Sequence, residues 1–172
     1  MAPIAVLALL ALMPFAPQLS GGDQVLRPES TLRLVRGQLS LGPYALGMTV
    51  AEAQSESGRA LELKPNVDDT GQCEGLEAPV SFAGQPFILT FTAHSDGLRL
   101  RAVHARLAEG RDLDEVAAEV VRRVPNLRLA ELDPAIKGNK SAWSLPSDPL
   151  QVVLISVKER WFSISRGGVN GW

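Results

Sequence analysis

From Phe87 onward apolar and polar residues alternate through Leu89, Phe91 and Ala93, break at His94-Ser95-Asp96-Gly97, and resume at Leu98 and Leu100. A period of two on either side of a Gly-containing turn predicts a β-hairpin. The return strand changes phase, because Leu98 and Leu100 share one parity while Val103, Ala105 and Leu107 share the other. A bulge near Ala102 puts all five on one face. Further on, Ser141 to Pro146 and Leu150 to Arg166 read as strands, the last two joined by a tight turn at Lys158-Glu159-Arg160. Val153, Ile155 and Val157 then face inward with Phe162 and Ile164. Leu32 to Leu46 predicts one or two strands, and Lys64 to Pro79, rich in Gly, Pro and acidic residues, reads as a loop.

Two segments carry a helical period instead. Thr49, with Glu52 three positions on, has the form of a capping box, in which each side chain accepts from an orphan N–H of the first turn. Met48 packs on Ala53 as a staple, Gly58 stops the helix, and the expected span is 50–57. The second start has Asp112 as cap and Glu115 as its partner, followed by a stripe of Leu113, Val116, Ala117, Val120, Val121 and Val124, and Pro125 as the stop. Glu119, Arg122 and Arg123 fall on the outer side. Thr49 and Asp112, Glu52 and Glu115, and Glu56 and Glu119 are each 63 residues apart. Capping boxes are common enough for this to be coincidence, but the offset also admits a tandem helix-plus-hairpin repeat. The fold class expected is α+β: a small antiparallel sheet with two helices on one face.

Composition narrows the setting more than the chemistry. The chain has 172 residues, 45% hydrophobic and 21% charged, enough for one packed core. A formal charge of −2 gives no basic excess to suggest nucleic acid. Residues 1–22 hold no charged side chain, and the run Pro3 to Met13 has the length of the apolar region of a secretory signal. It is short for a bilayer span and bracketed by Pro3, Pro14 and Pro17. The expectation is a signal peptide over 1–22, cleavage before Asp23, one α+β domain over 23–172 with no stable transmembrane span, and a periplasmic or secreted location. An uncleaved anchor is the alternative. Cys73 is the only cysteine, so no intramolecular disulfide forms and packing must supply the stability.

The Leu46 to Ala53 stretch, LGMTVAEA, opening a helix that leads to a hairpin, resembles the small envelope domains of the β-lactamase-inhibitor-protein-like and BamE/SmpA-like fold group. It is similar also to exported proteobacterial proteins of unknown function that carry an LGMT-x-x-EA segment. The resemblance implies helices on one side of a small antiparallel sheet.

Catalytic material is sparse. His94, His104 and Cys73 are the candidates, and a Cys73–His104 dyad would serve a hydrolase or transferase. Asp68, Asp69 and Glu74 could gather a hard cation, although their spacing fits no calcium loop. No phosphate-cradling Gly-Lys loop or zinc-binding His pair occurs, and no cofactor is implied. Asn139-Lys140-Ser141 matches a glycosylation acceptor, and the Gly-rich stretch from Arg166 to Trp172 reads as a tail. The remaining candidate is a basic stripe: the parity opposite the core gives Arg99, Arg101, His104 and Arg106 one outer sheet face beside Thr90 and Thr92. Arginine forks on such a face suit an acidic envelope protein partner, or an anionic lipid or cell-wall polymer in the alternative.

Overall fold

The computed structural model describes residues 26–68, 70–132, 140–156 and 158–167. The uncharged N-terminal run of residues 1–22, Asp69, Asn139, Val157 and residues 168–172 lie outside them. A 3-10 turn at Pro28–Thr31 leads into a small antiparallel sheet of β1 (Leu32–Val35), β2 (Gln38–Leu41) and β3 (Tyr44–Ala45). Helix α1 (Val50–Ser57) is followed by β4 (Lys64–Val67), β5 (Cys73–Phe82), β6 (Gln85–His94) and β7 (Gly97–Arg106). Among the described residues helix α2 (Leu113–Arg123) is again followed by four strands, β8 (Arg128–Leu129), β9 (Lys140–Leu145), β10 (Asp148–Ser156) and β11 (Trp161–Arg166).

The eight later strands form one antiparallel sheet in the order β4-β5-β6-β7-β11-β10-β9-β8. Each half runs from an edge inward in chain order, and the last strands of the two halves, β7 and β11, pair antiparallel at the centre, Val103 opposite Ile164. This is the order that a two-fold axis through the sheet generates. Among the described residues the repeated unit is therefore a helix plus four strands, longer than the helix-plus-hairpin read from sequence, with β4 and β8 starting 64 residues apart.

Both helices cover one face. Ala53 of α1 and Val116 and Val120 of α2 join a single buried cluster with Leu89, Phe91, Val103, Ala105, Val153, Ile155, Phe162 and Ile164. A fully buried Val, Leu or Phe contributes about 1.5–3 kcal/mol, so this shared face holds the two halves together. The β1–β3 sheet packs on the same side and is tied down by Gln151, a buried amide that accepts from the Leu39 N–H at 2.7 Å and donates to the Gly37 carbonyl at 2.9 Å.

Helix α1 buries only Ala53, and so depends on its ends. Its capping box is complete: the Glu52 N–H donates to Thr49 Oγ1 at 3.2 Å, and Glu52 Oε2 accepts from the Thr49 N–H at 2.7 Å and hydroxyl at 2.9 Å. Gly58 closes it in the left-handed conformation with φ 67°. At α2 the expected box does not form. Asp112 accepts from the Asp114 N–H, while the Glu115 carboxylate is drawn to Arg111 at 3.1 Å, a stronger charged donor than a backbone N–H. Val121, placed in the apolar stripe from its spacing, is 45% exposed, because Val116, Val120 and Val124 face the core and Val121 lies to one side of them.

The segment Lys64 to Pro79 is not a loop. It forms β4 and most of β5, with Leu76, Ala78 and Val80 alternating inward and a turn stitched by the Asp68 carboxylate, which accepts from the Thr70 and Gln72 N–H groups. Gly75 is required where β5 crosses β6, since a Cβ there would strike the Phe91 carbonyl.

Candidate binding face of the sheet

The helix-free face is positioned by β7, whose neighbour changes part-way along. At its start Leu100 pairs with the segment before α1: the Gly47 N–H donates to the Leu100 carbonyl at 2.8 Å and the Leu100 N–H to the Met48 carbonyl at 2.7 Å. From Ala102 onward β7 pairs with β11. On β6, Phe91 lies opposite Leu100 and Thr90 opposite Ala102, so Arg101 is the extra residue of a bulge, one position from that read from the phase change. The bulge keeps Leu98, Leu100, Val103 and Ala105 on the core side.

The four stripe residues accordingly do not form one patch. Arg99 is ion-paired with Asp96 and donates to the Gly47 carbonyl at 3.3 Å. Arg101 sits in the bulge and donates from Nε to the Arg166 carbonyl at 3.3 Å. Both line a cleft at one end of the sheet together with His94, Arg166 and Leu150. His104 occupies the middle of the face, opposite Ile88 on β6 and Ser163 on β11, with its ring edge-on to Trp161 at 6.4 Å. Burial pushes its imidazole down to about 4, so it is neutral at pH 7. Arg106 is exposed at the far end, opposite Trp161.

The face is also less bare than the alternation suggested. In its β9–β11 half Ala142, Val152, Leu154, Ser163 and Ser165 are all buried, and Ala130 and Leu132 pack over the first three. Exposure is concentrated in the β5–β7 half, at Pro79, Ser81, Pro86 and Arg106, with Ile88 and Trp161 half-buried among them. Ile88 and Trp161 were missed from sequence. The available signal was their parity: each stands on the outward phase of a strand, where an aliphatic or aromatic side chain has no core to join.

The nucleophile candidate is elsewhere. Cys73 is exposed near the end of β5, its thiol against the Gly75 carbonyl at 3.2 Å. The register aligns Pro79, Ile88 and His104 across the sheet, which puts Cys73 six residues along β5 from that row, roughly 20 Å away. The structure does not bring the two together. Among the described residues no group of three His, Cys, Asp or Glu side chains could hold a metal ion, and no helix is long and apolar enough to cross a membrane.

No protein-family model, curated protein or solved structure matches the chain.

Proposed function

We propose that the chain is an exported cell-envelope protein that acts without catalysis, as a protein-binding module, through the β5–β7 half of its helix-free sheet face. The observation that carries the reading is the group Ile88, His104 and Trp161, in which Ile88 lies opposite His104 and the Trp161 ring stands edge-on to it: apolar or neutral side chains directed away from the core, beside exposed Pro79, Pro86 and Arg106. An apolar, aromatic centre bordered by an arginine is the anatomy of a protein interface. A sheet held by the core on its other side presents that group with little ordering cost. The LGMTVAEA resemblance and the duplicated helix-plus-strands layout support an envelope setting, and the apolar leader supports export with a mature chain beginning near Asp23.

The test is association of the exported protein with envelope components after Ile88→Asp and, separately, Arg106→Glu. Ile88→Asp should abolish association and Arg106→Glu should slow it, both with thermal unfolding preserved. Undiminished association in both variants contradicts the reading.

A further inference from the structure

A second surface, at the end of the sheet where the chain enters and leaves the helices, is built from arginines. Arg27, Arg106, Arg111 and Arg160 line one groove of about 900 Å³, with Glu29 and Glu109 as its carboxylates. Two of the guanidinium groups are anchored. Arg111 bridges the buried Glu29 at 2.7 Å and Glu115 at 3.1 Å, and Arg160 holds Glu109 at 2.7 Å. The Nε of each is buried without a hydrogen-bond partner, so both side chains are fixed in place by their terminal nitrogens alone. Arg27 and Arg106 are exposed, and neither forms an ion pair among the described residues. With Glu115 counted as the second partner of Arg111, four arginines meet three glutamates, and the positive charge left over lies on Arg27 and Arg106.

We infer that this groove recognises a carboxylate-bearing peptide segment, with Arg27 and Arg106 as the donors and the Glu-anchored Arg111 and Arg160 as a fixed, charge-paired wall. The ion pairs already in the groove show which partner its guanidinium groups accept: Glu29 and Glu109 are both carboxylates. The rest of the lining favours a peptide over a bare ion, because Leu26, Pro28, Pro86 and Leu107 offer apolar surface between the charges. Acidic side chains spaced by hydrocarbon use both parts, whereas a compact hydrated phosphate leaves the apolar part uncovered. The groove shares Arg106 and Pro86 with the sheet-face reading, whereas Arg27, Leu26 and Leu107 belong to the groove alone, so loss of peptide binding in R27Q with association through Ile88 intact separates the two.

The experiment is fluorescence anisotropy of a fluorescein-labelled peptide of alternating Glu and Leu, titrated with the full chain. An R27Q/R106Q variant should weaken binding at least about tenfold and flatten its salt dependence, while R33Q, a change at an exposed arginine on β1, should not. If R27Q/R106Q fails to fold, R27K/R106K decides, because it keeps the charge and loses the fork: weakened binding supports the site and unchanged binding overturns it. Absence of binding to the wild-type chain, equal affinity in a folded R27Q/R106Q variant, or displacement of the peptide by an equal concentration of inorganic phosphate each overturns the inference.

Discussion

Leu100 donates its backbone N–H to the carbonyl of Met48 at 2.7 Å, which docks the entry to α1 on the edge of β7. The LGMT stretch is thus a piece of sheet as well as a helix start. It occupies β7 up to the bulge at Arg101, and β11 takes over from there. One short segment fixes the position of the first helix and the place where the two halves of the sheet join.

The cap should be measurable in isolation. Thr49→Ala removes the acceptor of the Glu52 N–H and the hydroxyl donor to its carboxylate. Urea unfolding should show a loss of about 1 kcal/mol, and Thr49→Asp, which keeps an acceptor, should cost much less. Equal losses would assign Thr49 a role other than capping.

Glu29 and Arg111 form an ion pair in which Glu29 is almost fully buried, joining the 3-10 turn to the start of α2. Glu29→Gln leaves Arg111 with only the exposed Glu115 as a carboxylate partner and should cost about 2 kcal/mol. The E29Q/R111M double variant should recover part of that loss. A double-mutant cycle that shows no coupling would contradict the burial of this pair.

His104 makes stability fall with acid in a defined window. Its pKa lies at about 4 in the folded state against 6.5 in the unfolded chain, so between those values the unfolded chain binds the proton and the folded one does not. Stability from this group is complete above pH 6.5 and is lost as pH falls toward 4, by about 3 kcal/mol in all. His104→Gln should remove that slope from a series of unfolding curves between pH 7 and 4. An unaltered slope would transfer the effect to other groups.

Gly75 predicts a local effect. Gly75→Ala forces a methyl into the Phe91 carbonyl, and the β4–β5 edge must shift to admit it. Amide exchange should quicken in β4 and the adjoining part of β5 while β10 and β11 stay protected, with an overall cost of roughly 1–3 kcal/mol.

Elements whose burial alternates were legible from the residues themselves. The β6–β7 hairpin, its bulge, β9 to β11 and both helix starts follow from apolar period and caps, since local pattern and tertiary environment agree there. The β4–β5 segment was misread because Pro65, Gly71 and Gly75 are breakers in isolation, whereas here they serve an edge strand, a turn and a close crossing. Parity placed Arg99, Arg101, His104 and Arg106 on one side of β7 but could not show that Arg99 turns to Asp96, that Arg101 lies in the bulge, or that His104 is desolvated. The pairing of Glu29 with Arg111 joins residues distant in the chain, and no local pattern encodes it.

The central claim is that the β5–β7 half of the helix-free face meets a protein partner. A photo-crosslinking amino acid placed at Ile88 in cells, compared with one at Glu56 on the exposed side of α1, tests it most directly. The account predicts a discrete higher-mass adduct from position 88 that is absent from position 56 and forms more slowly with Arg106→Glu. Adducts of equal yield from both positions, or none from position 88 while the protein is folded and exported, would contradict it.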